Sequence, residues 1–202
     1  MGKKLMNKTL DYYDKNAVLF ASGTADIEFS ELQDTFLSEL KDGAAILDFG
    51  CGSGRDTLYF LKKSYNVTAL DGSAELCKIA GEKTGIPVMQ MDFNDFDEHD
   101  KYDGIWACAS ILHLPKQELK NVLLHMEKAL HKGGVIYTSF KYGDFSGMRN
   151  ERFFTDFTED SFKEFIKEIE HLEIEKLWTT NDARPGRQDE KWLNVLLRTT
   201  RG

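Results

Sequence analysis

Gly50, Gly52 and Gly54 follow directly on an apolar run, Ala44 to Phe49, and Arg55 opens a helical pattern immediately afterwards. Glycine permits tight backbone turns and lets a ligand approach the main chain closely. A buried strand that passes through so bare a loop into a helix is the start of a parallel α/β unit. This one feature removes the all-α and all-β architectures from consideration.

The pattern continues along the chain. Helix Arg55–Lys63 leads to strand Asn66–Leu70, rich in β-branched and apolar residues. Ser73 caps a helix with Leu76, Ile79 and Ala80 on one face, and Pro87 to Met91 reads as a third strand. Strand Tyr102–Cys108 precedes the clearest helix, in which Leu119, Val122, Leu123, Met126 and Leu130 form one apolar stripe that ends at Lys132-Gly133-Gly134. Val135–Phe140 is a fifth strand, and Thr158 caps a helix burying Phe162, Phe165, Ile166 and Ile169. Leu172–Trp178 and Trp192–Leu197 are then separated by a loop of about a dozen residues, too short for a helical crossover, so they pair antiparallel. Residues 1–43 read as two amphipathic helices packed on the domain formed by residues 44–202. The expected fold is a doubly wound, mainly parallel α/β sheet.

Composition narrows the function. The net charge of −8 argues against a protein that grips nucleic-acid phosphates. Three cysteines, an odd number without a CxxC pair, give neither a disulfide framework nor a zinc site, so no metal is expected and a reducing cytoplasm is the expected location. The N-terminal segment MGKKLMNKTLDYYDK has no apolar core of a signal peptide, and no apolar run approaches the length of a membrane span.

In an open parallel sheet the ligand sits beyond the carboxyl ends of the strands. A dinucleotide site would read GxGxxG, but counting from Gly50 the last position is Arg55, and the spacing is GxGxG. An acid about 20 residues on, at the end of the second strand, suits a ribose diol; Asp71 stands there. Asp92 and Phe93 end the third strand, an acid and an aromatic that suit an adenine.

The segments ILDFGCGSGRD, VTALDGS, MDFNDFD, YDGIWACASILHLP and LHKGGVIYTSFKYG together resemble the successive motifs of the class I S-adenosylmethionine-dependent methyltransferases, over residues 40–200. The resemblance implies a seven-stranded sheet with an antiparallel last strand, S-adenosylmethionine as cofactor and a methyl-transfer activity. By position it places Asp48, Gly50, Cys51, Gly52, Gly54 and Arg55 around the methionine end, with Asp48 facing the ammonium. Asp71, Gly72 and Ser73 fall at the ribose, Asp92 and Phe93 at the adenine, and Ala107 and Ala109 set backbone against the methionine. Tyr12 and Tyr13 stand where an aromatic folds over the cofactor, and Tyr13 is the candidate contact. Plainer roles exist for several: Asp48 as a loop cap, Cys51 as a small packing residue, Tyr12 and Tyr13 as helix core.

For the acceptor, His113 in ASILHLP is the candidate general base, with a structural role before Pro115 as its rival. ASILHLP is not the motif of amino-directed DNA methyltransferases, and Cys108 lacks the Pro-Cys pair of cytosine C5 chemistry. Lys141, Arg149, Arg152, Arg184 and Arg187 gather at one edge of an acidic chain and suit carboxylate or phosphate. Each could instead pair with a nearby acid, but RPGR, residues 184–187, presents two arginines on a rigid turn and reads as functional. The expected function is methyl transfer to O, N or S of a small molecule, an anionic one being a candidate, by a monomer or homodimer. The alternatives are a protein or tRNA methyltransferase, a nicotinamide dehydrogenase, which the missing glycine disfavours, and a non-catalytic S-adenosylmethionine-binding regulator.

Overall fold

The computed structural model describes residues 2–25 and 27–202, with the side chains of residues 2–7 left aside. In chain order the elements are α1 (Gly2–Thr24), α2 (Ser30–Leu37), β1 (Ala45–Phe49), α3 (Arg55–Lys62), β2 (Asn66–Asp71), α4 (Ala74–Thr84), β3 (Val88–Gln90), β4 (Tyr102–Ala107), α5 (Lys116–Ala129), β5 (Leu130–Lys141), β6 (Ser146–Arg149), β7 (Arg152–Thr155), α6 (Glu159–Ile166), β8 (Leu172–Asn181) and β9 (Lys191–Thr199). Seven strands form one sheet in the order β3-β2-β1-β4-β5-β9-β8. β1 to β5 pair in parallel, and β9 inserts antiparallel between β5 and β8. This is the α/β sheet with an antiparallel last strand that the sequence implies.

The strand order runs outward in both directions from β1 and β4, so the switch point of the sheet lies between them. Alternate side chains of each central strand enter different layers. Leu47, Phe49, Ile105 and Ile136 join the larger core with α5 and α6, while Ile46, Trp106 and Tyr137 face Phe36 and Phe60 on the other side. Trp106 and Tyr137 stack with ring centroids 4.0 Å apart.

The local signals act as chemistry requires. The Ser73 hydroxyl accepts from the Leu76 N–H at 3.2 Å to cap α4, and Thr158 forms a capping box with Ser161 on α6. Three boundaries differ from the sequence reading. α5 ends at Ala129, three residues before Lys132, because buried Leu130 enters β5 opposite Tyr102. β8 and β9 run longer than expected and shorten their connecting loop to residues 182–190. The stretch after β5, expected to be loop, folds as the β6–β7 hairpin. Its two-residue turn, Asn150-Glu151, has positive φ at both positions (48° and 63°), as a primed turn demands.

Candidate active site

One cavity of about 680 Å³ opens at the carboxyl edge of the sheet, over the switch point. That volume falls in the range of about 300–1,000 Å³ typical of small-molecule sites. Its floor is the loop after β1 and the ends of β2 and β4. Its far wall is the β6–β7 hairpin and the β8–β9 loop, and α1 lies across the top.

The floor is organised by Asp71. Its carboxylate accepts the Gly52 N–H and the Ser73 N–H, each at 2.8 Å. Burial raises its pKa, and the N–H groups of Ser73, Gly52 and Gly72 act against that rise. Its two oxygens keep acceptor capacity beyond these N–H groups for a ligand. Two glycines here let α1 come down close: a Cβ on Gly72 would stand 2.6 Å from Leu10 Cδ2, and one on Gly52 3.2 Å from the Phe20 ring. Phe93, on the cavity wall, lies against Phe49 with centroids 4.6 Å apart.

Beneath the loop, Asp56 is 7% exposed and fully engaged. It receives the Arg55 fork at 2.8 and 2.9 Å, the Trp106 indole N–H at 2.9 Å and the Gln33 amide at 2.7 Å. Burial works against its ionisation, but Arg55 and these donors hold its pKa below the usual range. Asp48 is its neighbour: burial first, and the Asp56 charge second, raise the Asp48 pKa, and Thr57 Oγ1 donates to it at 2.6 Å.

Above the floor, α1 delivers Tyr13. The His113 imidazole must donate Nδ1–H to the Phe153 carbonyl at 2.6 Å, because a carbonyl only accepts, so Nε2 accepts the Tyr13 hydroxyl proton at 2.8 Å. Burial lowers the His113 pKa to about 4, so the ring is neutral. The Tyr13 oxygen in turn accepts from Arg152 Nη1 at 3.4 Å. Burial raises the Tyr13 pKa, with Arg152 opposing.

The far wall is charged. Strand alternation turns Arg152, Phe154 and Asp156 of the hairpin toward the cavity and buries Phe153 and Thr155 behind it. Asp182, 4% exposed, accepts the Arg184 fork at 2.8 and 2.5 Å, Lys141 at 3.0 Å and the Trp192 indole N–H at 2.9 Å. Lys141 also binds Glu190, which Arg187 approaches at 3.8 Å. Arg149 donates to Asp156 at 2.7 Å.

The structure thus brings Tyr13, Gly50, Cys51, Gly52, Arg55, Asp71, Gly72, Phe93, Ala109 and His113 to one cavity, together with Lys141, Arg149, Arg152, Arg184 and Arg187. It sets five expected cofactor residues apart from that wall. Asp48 is buried against Thr57, and Gly54 packs on α4, where a Cβ would meet Thr84 at 2.8 Å. Ser73 caps α4 and donates to Asp14 at 2.6 Å; Asp92 accepts from the Asn94 N–H at 2.9 Å, and Ala107 lies wholly inside the sheet. Cys51 is a buried thiol whose pKa burial raises, packed with Ala69 and Ala80. Sequence reasoning missed Leu10, Phe20, Phe154 and Trp192, and offered Asp182 only as one of the nearby acids, with Asp144, Asp156, Asp189 and Glu190, that an arginine could meet. Asp182 had a local signal: it precedes a turn, and its carboxylate accepts the Arg184 N–H at 3.0 Å. Among the described residues no cluster of three metal-ligating side chains occurs, and no helix is long and apolar enough to cross a membrane.

The methyltransferase domain family matches residues 46–134. The chain is 26% identical over 184 residues to (S)-coclaurine N-methyltransferase of Thalictrum flavum subsp. glaucum, which covers 79% of this chain and 49% of the relative, so the chain spans about half of that protein's length. An uncharacterized methyltransferase of Anoxybacillus flavithermus is 28% identical over 142 residues, 66% of this chain and 67% of that one. Among solved structures, Burkholderia thailandensis 1,6-didemethyltoxoflavin-N1-methyltransferase, with its acceptor and S-adenosylhomocysteine bound, superposes with a TM-score of 0.83 at 20% identity, covering 100% of this chain and 91% of that one. At such identity the likeness is one of fold.

Proposed function

We propose that the chain is a class I S-adenosylmethionine-dependent methyltransferase, a reading supported by the methyltransferase domain match over residues 46–134, and that it transfers a methyl group to a small-molecule acceptor held between Tyr13 and the β6–β7 hairpin. The observation that carries this reading is that one cavity is lined both by the glycine loop and Asp71, which have the donors and acceptors of a nucleoside site, and by Tyr13, His113 and the β6–β7 hairpin. Relatives named as N-methyltransferases of small molecules support nitrogen as the acceptor atom.

The residues present fit the cofactor. Asp71 has acceptor capacity left for a ribose diol, Phe93 offers a ring face for an adenine, and the loop Gly50–Ser53 brings bare backbone to the wall. When bound, S-adenosylmethionine supplies a methyl group on a sulfonium sulfur. The chain's own part is positioning and exclusion of water. Leu10 and Phe20 seat α1 on the glycines, closing the top of the cavity. A neutral amine attacks with its own lone pair, so no base need act before transfer. His113 suits that requirement as a positioning residue: held neutral with both nitrogens engaged, it fixes the Tyr13 hydroxyl beside the acceptor chamber.

Calorimetry with S-adenosylhomocysteine tests the cofactor, and release of that product from S-adenosylmethionine in the presence of a panel of small amines tests the acceptor class. Binding of neither S-adenosylmethionine nor S-adenosylhomocysteine removes the reading altogether.

A further inference from the structure

Four arginines face the acceptor chamber from the far wall, and three of them meet a carboxylate of the protein: Arg184 with Asp182, Arg149 with Asp156, Arg187 with Glu190. Arg152 has no carboxylate partner among the described residues. Its guanidinium carbon lies 4.5 Å from the Tyr12 ring centroid, 5.3 Å from Phe154 and 5.7 Å from Tyr13, so aromatic rings surround the group. Nη1 is spent on the Tyr13 hydroxyl. Nε is buried with no hydrogen-bond partner. The edge left over, Nε with Nη2, is the side-on fork that Arg184 uses on Asp182 and Arg55 uses on Asp56. In those two arginines the protein fills the fork; in Arg152 it does not.

A buried donor without a partner is costly, and more so when it carries charge. The fork matches two coplanar oxygens, and the aromatic surroundings favour a flat body beside them. Arg152 belongs to the hairpin after β5, not to the glycine loop or the strand ends that form the floor. We propose that Arg152 is the anchor for a carboxylate on the acceptor, and that the acceptor is a small conjugated or aromatic acid whose ring lies against Phe154 and Tyr13, the two rings beside Arg152 that line the cavity. This rests on the methyltransferase reading and names the class of its acceptor.

The test uses the full chain loaded with S-adenosylhomocysteine, and probes benzoate, trans-cinnamate and quinoline-2-carboxylate, each against its own carboxamide, by saturation-transfer NMR and calorimetry. At least one acid should bind at least about tenfold more tightly than its amide, and Arg152→Gln should bring the acid down to the amide's level. Arg152→Lys keeps the charge and loses the fork, so it should recover only a minor part; it also serves if Arg152→Gln does not fold. Amides binding as well as acids, no acid binding at all, or acids unaffected by both variants overturn the proposal. So does a loss of S-adenosylhomocysteine affinity in Arg152→Gln with 5′-methylthioadenosine unaffected, because the carboxylate is then the cofactor's own. Failure of the wild-type chain to bind S-adenosylhomocysteine strikes the methyltransferase reading instead.

Discussion

Asp56 and Asp182 are built alike at opposite ends of one cavity. Each is buried, each takes the fork of an arginine one or two residues away, and each accepts a tryptophan indole N–H at 2.9 Å. They differ in what else they hold. Asp56 adds the neutral amide of Gln33, and so ties α2, α3 and β4 together under the glycine loop. Asp182 adds the Lys141 cation, which Glu190 shares, and so closes an edge loop. On the function proposed here, the end assigned to the nucleoside is thus fixed by the interior of the sheet, and the end assigned to the acceptor by charges at its rim. The first suits a shared cofactor; the second could be rewritten for a new acceptor without disturbing the sheet.

The strongest way to break this comparison is to remove each aspartate. Asp56→Ala leaves the Arg55 charge and the Trp106 and Gln33 donors without their acceptor inside the molecule, and should lower stability by about 3–5 kcal/mol in urea unfolding. Asp182→Ala should cost less, about 1–3 kcal/mol, since Arg184 retains a third of its side-chain exposure and can turn to water. Equal losses would end the distinction between a core-held and a rim-held end.

His113 sharpens it from the pH side. Burial holds its folded pKa at about 4, against about 6.5 for an unfolded chain. Between those values the unfolded chain takes up a proton that the folded chain refuses. The stabilisation is therefore whole above about 6.5 and is lost as the pH falls toward 4, an effect of about 3 kcal/mol. His113→Gln should flatten the stability profile across that window relative to wild type. Parallel profiles would mean the imidazole is not held neutral against Phe153 and Tyr13.

The same division governs what could be read from the sequence. The succession of strands and helices along the chain, the antiparallel closing pair, the caps at Ser73 and Thr158 and the acid at Asp71 all follow from local pattern: apolar period, turn residues and spacing from Gly50. Asp48, Gly54 and Asp92 sit at motif positions, yet the Asp48 carboxylate is taken by Thr57, the Gly54 backbone packs on α4 and the Asp92 carboxylate accepts the Asn94 N–H. A motif fixes where the backbone goes, not which lone pair remains free. The hairpin carrying Arg152 was missed because SGMR and RFFT are short and their turn, Asn-Glu, contains no glycine. Pairing with a nearby acid was open for every arginine, and spacing could not reveal that Arg184 takes it while Arg152, among the described residues, meets aromatic rings and a hydroxyl.

At the nucleoside end, Asp71→Ala should weaken S-adenosylhomocysteine binding by about tenfold or more, and Asp71→Asn by less. Charged hydrogen bonds contribute about 1.5–3 kcal/mol each, and Asp71 also steadies the loop through the Gly52 N–H. Calorimetry measures the first effect and thermal unfolding the second. An unchanged affinity would move the ribose contact elsewhere and leave Asp71 as a loop anchor alone.

The smallest effects belong to RPGR, the arginines that the sequence made most conspicuous. Arg187 is half exposed and its single acidic contact spans 3.8 Å, a geometry that contributes at most about 1 kcal/mol. Arg184 spends its fork on Asp182, so a ligand anion would have to compete with a buried carboxylate for it. Arg184→Gln with Arg187→Gln should therefore lower stability by about 1 kcal/mol and shift aromatic-acid binding less than about twofold. The loop would then serve as a rim that holds Lys141 and Trp192 in place, while recognition falls to Arg152, which has no carboxylate partner among the described residues. If the double variant instead loses acid binding tenfold and Arg152→Gln does not, the rim is the reading element after all. The open fork on the hairpin would then be held by its aromatic neighbours for packing, not for a substrate.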